Sequence, residues 1–216
     1  CYGLIGANGA GKSTFLKILS GEIEQSSGLV IMDDGKTLSV LKQDQFAHEE
    51  CEVIDVVLMG NAALYKIHEE RKELYSKEEM TEAQGLRVGD LEVEFGEMGG
   101  YTAEADASSM LADLGINEDL HYKTMKELGP GEKIRVLLAQ ALFGDPDVLL
   151  LDEPTNQLDY QSVLWLEKYL MDIKNTVIVV SHDRHFLNKV CTHTADLDYK
   201  EIKIYPGNYD FWKKSS

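Results

Sequence analysis

Apolar positions follow two rhythms along this chain. Short continuous runs at Leu4-Ile5, 29–32, 37–41, 147–151 and 176–180 read as strands. The last two have the look of parallel strands covered on both faces. The runs at 29–32 and 37–41 flank Asp33-Asp34-Gly35, so they read as two strands around an Asp-Gly turn. Elsewhere the spacing is helical. Val53, Ile54, Val56, Val57 and Met59 predict a short helix over 52–60; Leu86, Val88, Leu91 and Val93 a second; 102–114, ending at Gly115, a third. Further helices are expected at 134–143, 162–173 and 184–190. Residues 197–199 and 201–205 read as a hairpin or short edge strands, and a helix opens at Tyr209.

Strand and helix alternate at both ends of the chain but not in the middle. The class is therefore α/β with a mainly parallel sheet, interrupted by a helical insertion. The insertion is polar. From Tyr65 to Glu79 both signs of charge are dense, with Glu69→Lys72 and Glu73→Lys77 at helical spacing, and residues 76–84 form a hydrophilic bend. The divisions expected are 1–50, 51–143, 144–208 and 209–216, with a protruding helical hairpin at about 60–100.

The candidate chemistry begins where the first strand ends. Gly6-Ala7-Asn8-Gly9-Ala10-Gly11-Lys12-Ser13-Thr14 matches the phosphate-loop pattern GxxxxGK[ST], and the turn opens into a helix expected to start at Phe15 and to stop at Ser20-Gly21. Glycines let backbone N–H groups turn inward on phosphate oxygens, and the helix behind adds positive partial charge. Lys12 would reach the β- and γ-phosphates, and the Ser13 hydroxyl would ligate Mg²⁺. A second apolar strand delivers Asp152 and Glu153 at its C-terminal end. Asp152 would hold Mg²⁺ and Glu153 would polarise an attacking water. His182 follows the next strand and could donate to the γ-phosphate. Gln43, after an early strand, could touch Mg²⁺ and the γ-phosphate. Leu128-Gly129-Pro130-Gly131-Glu132-Lys133 leads onto a helix and forms a second anion-binding turn.

Charge narrows the partners. The chain has 216 residues and a formal net charge of −17. That balance argues against indiscriminate binding to nucleic acid or an anionic membrane, without excluding a local basic contact. Cys1, Cys51 and Cys191 are dispersed without metal spacing, as reduced cytosolic thiols would be. No apolar run approaches a membrane span. The first residue is not Met and lies inside a strand, so a segment of a longer protein is expected.

Together these motifs resemble an ATP-binding cassette (ABC) domain. GANGAGKST resembles Walker A and LLLDEPTN resembles Walker B. Gln43 fits the Q-loop, Asn156 to Asp159 the D-loop, His182 the H-switch, and LGPGEK the signature position. LDEPTNxLD followed by SHDRHFL is typical of the ABC-F family. EMGGYTAEA, LLAQALF and the closing VCTHTADLDY resemble the first cassette of YbiT-like ABC-F proteins.

The resemblance implies a P-loop ATPase core, N-terminally truncated, that binds ATP with Mg²⁺. It hydrolyses ATP only with a second cassette, of the same polypeptide or a homodimer mate. It implies a cytoplasmic protein acting in translation on the ribosome, with rRNA and tRNA nearby and no membrane partner. Gly129, Gly131 and Glu132 would then serve the partner's ATP, and Asp159 the D-loop. Three departures stand out. Gly129 and Pro130 replace Ser and Gly of the usual LSGG, Gln157 replaces a common His, and the adenine-stacking aromatic would lie upstream of Cys1. Two alternatives stay open: the ATPase subunit of a membrane transporter, and a nucleotide-dependent binding module that scarcely hydrolyses.

Overall fold

A computed structural model describes residues 1–215. In chain order its elements are β1 (Tyr2–Ile5), α1 (Lys12–Leu19), β2 (Leu38–Val40), α2 (Val53–Leu58), α3 (Ala62–Tyr75), α4 (Glu82–Glu97) and α5 (Gly100–Asp113). They continue with α6 (Pro130–Leu142), β3 (Val148–Asp152), α7 (Tyr160–Asp172), β4 (Thr176–Val180), α8 (Arg184–Val190), β5 (His193–Asp198), β6 (Glu201–Pro206) and α9 (Tyr209–Ser215). The chain forms two units, one of residues 1–43 with 145 onward, the other of residues 44–144.

The first unit is built on a six-stranded sheet in the order β2-β3-β4-β1-β5-β6. Every ladder is parallel except β5 with β6. Its core packs Leu4, Leu16, Leu150, Val180, Ala195 and Leu197 from α1 and the central strands. Leu149, Leu150 and Leu151 are all buried, which is the reason the run at 147–151 lacks polar alternation. The chain passes from β4 through α8 to β5 and leaves β1 between them. Loops at the C-terminal ends of β1 and β4 therefore open side by side, where α/β sheets place ligands.

Several sequence expectations need correction. Residues 29–32 form no strand: Leu29 and Ile31 are 83% and 82% exposed, and nothing among the described residues pairs with them. An apolar run becomes a strand only when a neighbour supplies its ladder. The strand expected at 37–41 contracts to Leu38–Val40 for its pairing with β3. The first helix starts at Lys12, since Gly11 caps it in a left-handed conformation (φ 101°). The helix at the signature starts at Pro130, whose missing N–H costs nothing in a first turn. The bend at 76–84 ends early, because Thr81 and Gln84 form a capping box that starts α4. Cys1 and Cys191, far apart in sequence, bring their Sγ atoms to 3.8 Å, and burial pushes the Cys191 thiol up to about 12.

The second unit is helical. α2 contributes Val53, Ile54, Val56 and Val57 to a core shared with α5 and α6, and Gly60 allows the Gln140 carbonyl to pass where a Cβ would lie only 2.0 Å away. Helices α3 and α4 form a hairpin whose charges are mostly tied to one another. Arg71 bonds Glu92 at 2.9 Å while its guanidinium lies 3.8 Å from the Phe95 ring centroid. Arg87 forks onto Glu70 at 2.8 and 3.0 Å and reaches Glu94 at 3.1 Å. Glu69 and Lys72 pair at 3.4 Å, but among the described residues Glu73 and Lys77 do not.

The Arg71 guanidinium, with the Tyr101 and Tyr75 hydroxyls, holds the Glu92 carboxyl at about 2, below its usual 4.5. A lowered carboxylate stabilises the fold above its unfolded pKa and ceases to as pH falls toward its folded one. The hairpin is therefore expected to loosen between about pH 4.5 and 2. Amide exchange along α4 checks this; protection unchanged at pH 2 would refute it.

Candidate active site

The phosphate loop is positioned by β1, the strand between β4 and β5. Gly6 must be glycine because a Cβ there would meet the Leu197 carbonyl at 2.6 Å. Gly9 and Gly11 take left-handed backbone, with nothing within 4 Å of the place a Cβ would occupy. Ala10 N donates to the Ala7 carbonyl at 3.0 Å and closes the turn. Lys12 curls back so that Nζ donates to Gly6 O at 2.8 Å and Ala7 O at 3.0 Å. No side chain caps α1, so the first N–H groups of the helix keep their donor capacity. Ser13 and Thr14 are exposed beside them.

Asp152 ends β3, paired with Val180 of β4. Glu153 N donates to the Val180 carbonyl at 2.7 Å, which carries the ladder one residue further and sets Glu153 in a left-handed conformation (φ 48°). Such backbone costs about 1–3 kcal/mol and gathers at functional sites. The Glu153 side chain accepts from His182 N at 3.2 Å. Its Oε1 lies 3.3 Å from His182 Nε2 but outside hydrogen-bond geometry, and it is buried without a hydrogen-bond partner. A carboxylate oxygen in that state is ready to accept a proton or a water hydrogen.

His182 is held by its neighbours. Asp183 caps α8 by accepting from Phe186 N at 3.1 Å, and its own N–H donates to Ser181 Oγ at 3.0 Å. The imidazole itself is 71% exposed, so it is aimed rather than buried. The positioning role of Asp183 escaped the sequence reading, although an Asp immediately before an apolar helix is a capping signal. Gln43 Nε2 donates to the Asp152 carbonyl at 2.7 Å, which ties the end of the early strand to the end of β3. After Glu153, Gln157 is also left-handed (φ 63°), and Asp159 sits at the N-cap of α7, accepting from the Ser162 hydroxyl.

The structure thus brings the phosphate loop, Gln43, Asp152, Glu153 and His182 to one edge of one sheet. The donor set suits a magnesium triphosphate: hard oxygen ligands from Ser13, Gln43 and Asp152, and open backbone donors at an uncapped helix start.

Gly129, Gly131 and Glu132 belong to the helical unit. There Gly129 N donates to Glu132 Oε2 at 2.9 Å, and Pro130 occupies the first helical position. One N–H of this turn is spent internally and another is missing. Lys133, 7% exposed, pairs with Glu49.

Comparison with known proteins follows the same lines. Residues 1–156 match the model of the family described as ABC transporter. The chain is 61% identical over its whole length to an uncharacterized ABC transporter ATP-binding protein, YkpA, of Bacillus subtilis, of which it covers 40%. It is 56% identical over 97% of its length to the probable ATP-binding protein YbiT of Escherichia coli O157:H7, of which it covers 39%. It is 37% identical over 97% of its length to ABC transporter F family member 4 of Arabidopsis thaliana, of which it covers 29%. It therefore spans well under half of these relatives. Among solved structures it resembles an archaeal ribosome recycling factor, solved with the archaeal ribosomal stalk protein. The TM-score is 0.60 and the identity 25%, over 90% of this chain and 31% of that one. Among the described residues no helix is long and apolar enough to cross a membrane.

Proposed function

The chain belongs to the ABC transporter family of ATP-binding domains, in its F branch, and on that premise we propose that it is one ATP-hydrolysing half of a two-cassette switch that acts on the ribosome. The observation that carries the catalytic reading is the buried Glu153 Oε1, without a hydrogen-bond partner, beside His182 and at the edge where the phosphate loop opens.

In this reading the loop from Gly6 to Thr14 cradles the triphosphate with its backbone donors, and Lys12 leaves the Gly6 and Ala7 carbonyls for phosphate oxygens. Ser13, Gln43 and Asp152 would hold Mg²⁺, which would offset the phosphate charge. Glu153 accepts the proton of the water that attacks the γ-phosphorus as ADP leaves. His182, fixed by the Asp183 cap, orients that water and the γ-phosphate. Asp159 and the turn at Gly129, Gly131 and Glu132 serve a second cassette. Because Pro130 lacks an N–H and Glu132 occupies that of Gly129, this turn offers the partner's ATP fewer donors than an LSGG sequence would.

The ribosomal target rests on the F-branch resemblance and on the likeness to a ribosome recycling factor. Its test is the ATP turnover of the full-length protein with and without ribosomes, alongside sedimentation of the ATP-bound protein. Stimulation by ribosomes and ATP-dependent co-sedimentation are expected. Turnover indifferent to ribosomes, with the protein partitioning into membranes, would favour a transporter subunit instead.

A further inference from the structure

Helix α4 buries Leu91 and Phe95, as a surface helix should, but its outward face is not wholly polar. Arg87, Glu92 and Glu94, its charged residues nearest α3, are only partly exposed and are spent on ion pairs and tyrosine hydroxyls. Its outward face instead carries Leu86, 70% exposed, and Val93, 61% exposed, one heptad apart. Between and beside them lie Gly85 and Gly89. Each costs a helix about 1 kcal/mol relative to Ala, yet a Cβ at either would meet nothing within 4 Å. Gly96 and Gly100 are different, for a Cβ there would meet Tyr101 at 3.2 Å and Phe95 at 2.4 Å. So the two outward glycines serve no packing among the described residues, and an incoming backbone could approach closely there.

Charge decides what can fit. Glu82, Asp90 and Glu97 rim this face, all exposed. From Ala62 to Glu97 the hairpin carries ten carboxylates against five basic side chains. Three of those five, Arg71, Lys72 and Arg87, are already in ion pairs. A phosphate backbone would be repelled. A second copy of this chain would bring the same acidic rim, within a net charge of −17. We infer that the outward face of α4, from Gly85 to Val93, is a docking surface for a basic amphipathic helix of a protein partner. Its apolar residues would lie along Leu86 and Val93, its backbone over Gly85 and Gly89, and its lysines or arginines against the acidic rim. The inference does not rest on the ribosomal reading.

The test uses the full-length protein and a labelled synthetic Leu/Lys amphipathic helix, read by fluorescence anisotropy at physiological salt. A scrambled peptide of the same composition, a Leu/Glu helix and a short single-stranded RNA serve as comparisons. The Leu/Lys helix is expected to bind best. Gly89→Ala should raise the melting temperature of the hairpin while weakening the peptide, and Gly85→Ala with Gly89→Leu should weaken it by about tenfold or more. A glycine needed only for folding would lower both readouts. No binding of the Leu/Lys helix, equal binding of the scrambled peptide or the RNA, or affinity unchanged in the double variant would overturn the proposal.

Discussion

Glu153→Gln in the full-length protein is expected to lower ATP turnover by about a hundredfold or more, the scale of losing a general base, while ATP affinity stays close to wild type. The amide keeps the volume of the carboxylate and can still accept from His182 N, the bond that Glu153 Oε2 accepts at 3.2 Å. It cannot take a proton from water. The loop after β1 and the remaining residues at the edge are untouched, so, on the proposed two-cassette reading, ATP should accumulate unhydrolysed and hold the cassettes together. Single-turnover hydrolysis and sedimentation with ATP read the two consequences separately. Wild-type turnover in this variant would remove Glu153 from the role of base.

Lys12→Ala should fail one step earlier. Each charge-assisted hydrogen bond contributes roughly 1.5–3 kcal/mol, so losing the ammonium should weaken ATP binding by between about tenfold and more than a hundredfold. Turnover then falls because the site does not fill. The variant also frees the Gly6 and Ala7 carbonyls that Lys12 now contacts at 2.8 and 3.0 Å, so loop order must be measured beside affinity. Lys12→Arg is the useful companion, since it retains the charge but not the compact reach of the ammonium. Undiminished ATP affinity in Lys12→Ala, with the loop intact, would place the triphosphate elsewhere. The two variants are complementary, for one should bind without turning over and the other should not bind.

Much of this was legible in residue order because the chemistry is carried by short local strings. Gly6 to Thr14, Asp152-Glu153 and His182 each sit at the end of an apolar run, and strand-end placement follows from the run itself. Gln43 was placed only by the company it kept. Its contact with the Asp152 carbonyl depends on β2 lying beside β3, a pairing across more than a hundred residues. Residues 29–32 show the opposite failure. Their apolar pattern was read as a strand and the structure has none there, because a ladder needs a neighbour that the pattern alone does not reveal.

The middle of the chain was read less well for a related reason. Charge spacing suggested a helix within 65–79 and Leu86, Val88, Leu91 and Val93 a second, where α3 and α4 lie, but the spacing does not say which of those four turn inward. Leu86 and Val93 face solvent because Leu91 and Phe95 turn inward while Arg87 and Glu92 find partners on α3 and α5, and contacts across a hairpin depend on how two helices rotate against each other.

What the sequence determined by itself, then, was the class of the fold and membership of an ATP-binding family, since both reside in local strings and in the alternation of apolar runs. Tertiary structure alone decided three things. It ordered the strands so that β1 lies between β4 and β5, it left Glu153 Oε1 buried beside His182, and it buried Leu91 and Phe95 of α4 while leaving Leu86 and Val93 exposed. Each depends on contacts between residues far apart in the chain, whose geometry no local pattern of residues encodes.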